Sequence, residues 1–121
     1  MTCCSTSEVT SSWSTASNHC TGLGLQLVKI EDGTKNLAVA DAVTPLNVWI
    51  GLTDADTEGS FKWVDGAQLG TYAPWSSLGT EPNSAGSTGG NQDCVYVNSL
   101  QVWADTDCKG NLPTVRGFCC E

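Results

Sequence analysis

The sequence predicts an α+β domain with an antiparallel sheet. Three observations carry that class. Two helical patterns lie in the first third of the chain, between 5 and 24 and at 34–43. Short β-type segments bounded by turn residues fill most of the rest. A long stretch without periodicity, Gly66 to Gly90, is rich in Gly, Ser, Thr and Pro and divides those segments. At 121 residues the chain is the size of one ordinary domain, 1–121, able to bury a single core.

"STSE" at 5–8 has the form of a capping box, with Ser5 as N-cap and Glu8 reaching back from the third helical position. Val9, Trp13, Ala16 and Cys20 then recur at steps of three and four, one apolar stripe on a helix that Gly22 and Gly24 end. "LQLVKI" at 25–30 alternates and reads as a strand. "TKNLAVADAV" at 34–43 reads as a second helix, stopped before Pro45. "NVWIGLT" and "SFKWVDG" read as strands joined through "DADTEG". "CVYV", "QVWAD" and "RGFCCE" read as three more. A long irregular segment such as 66–90 within a compact domain is usually functional or disordered.

The formal charge is −8, and the cations are Lys29, Lys35, Lys62, Lys109 and Arg116, too few and scattered for a basic patch. Nucleic acid and anionic membranes are therefore poor partners. Apolar runs such as "NVWIGL" at 47–52 are too short to span a bilayer, so no membrane insertion is expected. Met1 is followed directly by polar residues and cysteines, so the sequence reads as the mature form of a secreted chain with an added start Met. Seven cysteines without a C-x-x-C, and a single histidine, His19, point to disulfides in an oxidising compartment and away from structural zinc. Seven is odd, so at least one cysteine is free or paired between chains.

"W..A...C" at 13–20, "WIGL" at 49–52, Trp75 before "EPN" at 81–83, Cys94, "WAD" at 103–105, Cys108 and "FCCE" at 118–121 resemble, in order and spacing, the C-type lectin domains. The resemblance runs through nearly the whole chain, in the family's short form, without an extra N-terminal hairpin. It implies two helices with antiparallel sheets and a long irregular binding loop. It implies the disulfides Cys20–Cys120 and Cys94–Cys108. In the chain-entropy model a loop of about 100 residues is worth roughly 4–5 kcal/mol and the shorter one on the order of 3 kcal/mol. The family's first and last strands pair, and strand neighbours point to opposite faces. Cys3 or Cys4 then meets Cys119, and the other is left to link two chains as a disulfide-bonded homodimer.

The resemblance also gives the loop its chemistry. Calcium takes six to eight oxygens. "EPN" supplies the carboxylate of Glu81 and the amide oxygen of Asn83, aimed at one ion by a cis bond before Pro82. Carried over position by position, the principal calcium and sugar site is Glu81, Asn83, Gln92 and Asp105. Gln92 stands where the family has Glu, and Ala104 where it has Asn, so one charge and one oxygen are lost. Asp54, Glu58 and Asp93 match an auxiliary calcium site whose fourth position is Ser84 here. The other reading of 54–59 is a polar hairpin turn. The EPN order is associated with sugars bearing equatorial 3- and 4-hydroxyls: mannose, glucose, N-acetylglucosamine, or fucose presented equivalently.

Other readings compete. His19 and Cys20 are sequence neighbours and cannot face each other on a helix as a catalytic pair. Glu58, Glu81, Asp93 and Asp105 could be drawn as a hydrolase pair, but nothing in the sequence builds a pocket to raise one pKa, so no enzyme is expected. Trp13, Trp49, Trp63 and Trp103 read as core. Trp75 reads as the loop's anchor, with a sugar-stacking platform as the alternative. "SAGSTGG" at 84–90 implies mobility or room for a second sugar. The sequence thus leads to a secreted, non-catalytic, calcium-dependent lectin that is multivalent and serves agglutination or microbial recognition. A glycan binder without calcium, and a lectin-like domain for protein or mineral surfaces, are the alternatives.

Overall fold

A computed structural model describes residues 1–5, 12–42, 46–54, 60–75, 94–106, 108 and 115–121. The described elements are β1 (Thr2–Ser5), α1 (Trp13–Gly22), α2 (Gly33–Ala42), β2 (Val48–Thr53), β3 (Lys62–Trp63), β4 (Cys94–Val97), β5 (Trp103–Thr106) and β6 (Gly117–Cys120). They form one sheet in the order β1-β6-β2-β4-β5, with β3 on β2. Every pairing is antiparallel except β2 with β6, which run parallel. No helix among the described residues is long and apolar enough to cross a membrane.

Helix α1 starts later than the sequence predicts. Ser5 belongs to β1, opposite Gly117, so it is no helix cap. Ser12 takes that role, its Oγ accepting the Thr15 N–H at 3.1 Å. Glu8 and Val9 lie outside the described residues. The remaining stripe holds: Ala16 and Cys20 are buried, and half-buried Trp13 donates its indole N–H to the Ile50 carbonyl at 2.9 Å. The helix closes as Leu23 and Gly24 donate to the Cys20 and Thr21 carbonyls, with Gly24 at φ 75°. Helix α2 begins behind Asp32, whose carboxylate accepts the Lys35 N–H at 2.9 Å. It buries Asn36, Val39 and Ala40.

Residues 25–30 are not the regular strand that their alternation predicts. Leu27 makes a single bridge to Cys120, Gln26 and Glu121 exchange backbone bonds, and Val28 donates to Cys119. Gly51 crosses this segment so closely that a Cβ there would sit 2.8 Å from the Leu27 carbonyl oxygen. That contact explains the glycine inside "WIGL".

The two faces of the sheet carry two apolar clusters. Val48, Ile50 and Leu52 of β2 join Val39, Val95, Val97 and Trp103 on the α2 side. Trp49 joins Ala16, Cys20, Leu27, Phe118 and Cys120 on the α1 side. This is the period-two alternation of a strand buried on both faces.

The cysteines follow the same alternation. Cys20–Cys120 and Cys94–Cys108 are bonded, as the resemblance implies, and Cys3 is bonded to Cys119, its direct partner across β1 and β6. Cys3 is therefore not available to link two chains. Cys4 is the free thiol, half-buried on the α1 side opposite Phe118.

Candidate functional site

The end of the sheet at which β2 and β5 finish and β4 begins collects the described candidate residues. Thr53, Cys94 and Thr106 form one row across these strands. Asp54 follows that row by one residue, just past the end of β2. Asp105 precedes it by one on β5, opposite Val95. Both carboxylates are buried, at 1% and 2% exposure, and both make interactions within the domain. A buried carboxylate is stable only with such partners or a cation. Cys94–Cys108 fastens β4 to the chain just beyond β5 at this same end.

Trp103, two residues before Asp105 and on the same strand face, is the fixed point beneath the site. Its indole N–H donates to Asn36 Oδ1 of α2 at 2.8 Å, and Asn36 Nδ2 donates to the Gln101 carbonyl at 2.7 Å. Trp63, Tyr72 and Trp75 each stand edge-on to Trp103 at 5.8 Å between ring centroids. Trp75 also meets Phe61 at 5.2 Å, and a bridge joins it to Trp103. These contacts give Trp75 the anchoring role. It is the last described residue before the segment that carries "EPN".

The structure brings Asp54 and Asp105 to one sheet end. Glu58, Glu81, Asn83, Gln92 and Asp93 lie outside the described residues. Ala104 sits on β5 opposite Tyr96, 8% exposed. It offers a methyl group and no oxygen. Among the described residues no three His, Cys, Asp or Glu side chains converge on one point. The side chains that the sequence nominates are carboxylates and amides, and the nearby Cys94 and Cys108 are disulfide-bonded and offer no thiolate. That chemistry fits a hard cation such as calcium. His19 is exposed at the far end of α1 and stands edge-on to Phe118 at 5.1 Å.

Asn36 is the residue the sequence reading missed. The available signal was its helical spacing: it lies three and four residues before Val39 and Ala40, within the buried stripe of α2.

Comparison with known proteins closes the description of the site. The family model for the Lectin C-type domain matches residues 9–120. Asialoglycoprotein receptor 2 of Homo sapiens is 33% identical over 108 residues, covering 88% of this chain and 33% of that protein. Mannose-binding protein of Gallus gallus is 32% identical over 93 residues, covering 76% of this chain and 34% of its own length. The chain thus spans about a third of the length of these relatives. Among solved structures, the cow C-type carbohydrate-recognition domain of CD23, crystallised in the presence of a GlcNAc2Man3 oligosaccharide, superposes with a TM-score of 0.78 and 31% identity. That match covers 93% of this chain and 81% of the other.

Proposed function

This chain belongs to the C-type lectin domain family, and we propose that it binds carbohydrate with the help of calcium and prefers mannose-type sugars. The family is one of binding domains, not enzymes. The observation that carries the reading is the pair of buried carboxylates, Asp54 and Asp105, at one end of the sheet, with "EPN" between them in the sequence. Glu81, Asn83, Gln92 and Asp105 would hold the principal ion, and Asp54, Glu58 and Asp93 an auxiliary one. When bound, calcium supplies coordination positions that two vicinal sugar hydroxyls take in place of water. Glu81 accepts a hydrogen bond from one hydroxyl, and Asn83 donates to the other. The mannose preference rests on the "EPN" order. It is supported by the name of the chicken protein and by the mannose-containing oligosaccharide present with the cow domain.

Ala104 favours a second reading of the same site, in which glycan is held by hydrogen bonds without calcium. Calorimetric titration with mannose, N-acetylglucosamine and galactose separates the two. Binding of the first two sugars that EDTA abolishes is expected. Binding that survives EDTA selects the second reading, and the absence of heat with any sugar refutes both.

Three disulfides support the reading of a chain that works in an oxidising compartment, secreted or extracellular. With Cys3 consumed, Cys4 is the thiol that would join two chains. Pairing two weak sites raises avidity, which suits agglutination or microbial recognition. A monomer mass without reductant refutes the covalent dimer.

A further inference from the structure

A cavity of about 270 Å³ opens between residues 29–31, Trp63, Gln68 and residues 70–72. None of these belongs to the oxygen set built around Asp54 and Asp105. The volume is roughly nine waters' share of liquid, more than one structural water needs. It lies just below the ~300 Å³ at which pockets for drug-sized ligands begin, and so suits a single ring.

The walls divide by chemistry. Trp63 and Tyr72 give an aromatic side, held rigid because both rings pack against Trp103. Lys29 is occupied, its ammonium 3.1 Å from the Asp65 carboxylate. The exposed side chains of Glu31, Gln68 and Thr71 make no hydrogen bond or ion pair to any described residue. A carboxylate acceptor, an amide and a hydroxyl therefore stand ready around an aromatic edge. That is the set of groups that hydroxyls and C–H edges of a pyranose satisfy. Among the described lining residues Lys29 is ion-paired with Asp65, which leaves Glu31 as the unpaired charge facing the cavity.

We propose that this cavity is a second, calcium-independent subsite for one sugar ring, neutral or bearing an amine, and that it excludes acidic sugars. The choice of a sugar rests on the lectin reading. The site itself does not, because it uses none of the calcium residues.

The test is ¹⁵N NMR titration in EDTA with three probes: a methyl glucoside, a methyl glucosaminide at a pH where its amine is protonated, and the methyl glycoside of N-acetylneuraminic acid. Saturable shifts at residues 29–31 and 68–72 are expected with the first two, in the millimolar range of a ring held by a few hydrogen bonds. Glu31→Gln should weaken the glucosaminide by up to about fivefold, the worth of an exposed ion pair, and leave the glucoside unchanged. Gly70→Trp should block both probes. Nothing lies within 4 Å of a Cβ at Gly70, so this variant should keep the unfolding midpoint of the wild type. Wild-type protein that shows no shifts at these residues, shifts that persist in Gly70→Trp, or tightest binding by the acidic sugar would each overturn the proposal. Because calcium is absent throughout, a failed mannose site and a failed cavity read out separately.

Discussion

Asn36 is where the fold beneath the site can be tested most sharply. Replacing it with leucine keeps the number and branching of side-chain heavy atoms but removes two hydrogen bonds, the indole of Trp103 at 2.8 Å and the carbonyl of Gln101 at 2.7 Å. Trp103 is fully buried, so its N–H is left without water, a loss of about 1–3 kcal/mol. Gln101 is exposed and its carbonyl can turn to solvent, which adds about 1 kcal/mol. The expected cost of Asn36→Leu is therefore roughly 2–4 kcal/mol, a large part of the ~5–15 kcal/mol that holds a domain folded. Asn36→Asp separates the bonds. It keeps the acceptor for Trp103 but sets a buried carboxylate against the Gln101 carbonyl. Burial raises the pKa of that carboxyl in the folded state, so this variant is least destabilised below the unfolded aspartate value of about 3.9. It loses stability as pH rises from there. Denaturant unfolding followed by near-ultraviolet circular dichroism, disulfides intact, measures both. A leucine variant within about 0.5 kcal/mol of the wild type, or an aspartate variant whose deficit does not grow with pH, would refute the assigned network.

Gly51→Ala should destabilise by about 2–4 kcal/mol. Its methyl meets the Leu27 carbonyl oxygen at 2.8 Å, and the backbone bonds Gly51 makes with Val28 and Val64 must shift with it. Thermal melting that leaves the midpoint in place contradicts that contact. On the proposed calcium reading, Gln92→Glu restores one charge to the principal ion. It should tighten calcium on the order of tenfold, read by calcium titration calorimetry. The Asp65 carboxyl is held below the ordinary aspartate range, first by the Ala67 N–H and then by Lys29. Because folding lowers this pKa, the stabilisation is fully present above the unfolded value and disappears as pH falls through the folded one. Carboxyl NMR should show a depressed midpoint that Lys29→Met moves part of the way back.

Helix α2 and strand β2 were legible because each leaves a periodic trace in the chain, and two of the disulfides were legible through the family resemblance. The capping box at Ser5 misled because a cap is a local preference of about 1 kcal/mol, whereas residues 2–5 are claimed by the ladder to β6 and by Cys3–Cys119. The same cap chemistry recurs at Ser12, where no strand competes. Residues 25–30 alternate because Leu27, Val28 and Ile30 are covered by neighbouring chain while Lys29 is partly open. Burial sets that pattern without a ladder. Which N-terminal cysteine meets Cys119 was a question of register, and a one-residue slip would have reversed the answer. Asp105, buried on β5, is the residue that "WAD" nominates. Its support was not legible, because the partner of Trp103 comes from a helix 67 residues away.

The division of labour along β5 bears on how such a site weakens. Trp103 and Asp105 share one face of the strand, and Ala104 takes the other, opposite Tyr96. The anchors of the strand are the Asn36 bond, the three edge-on rings and the ladder to β4, and none of them passes through the side chain at 104. A change there removes an oxygen without loosening what places Asp105. On the proposed calcium reading, the side chain at 104 is free to vary without cost to the strand that carries Asp105. A substitution at 104 therefore leaves the Asp105 carboxylate and the Cys94–Cys108 disulfide where they are.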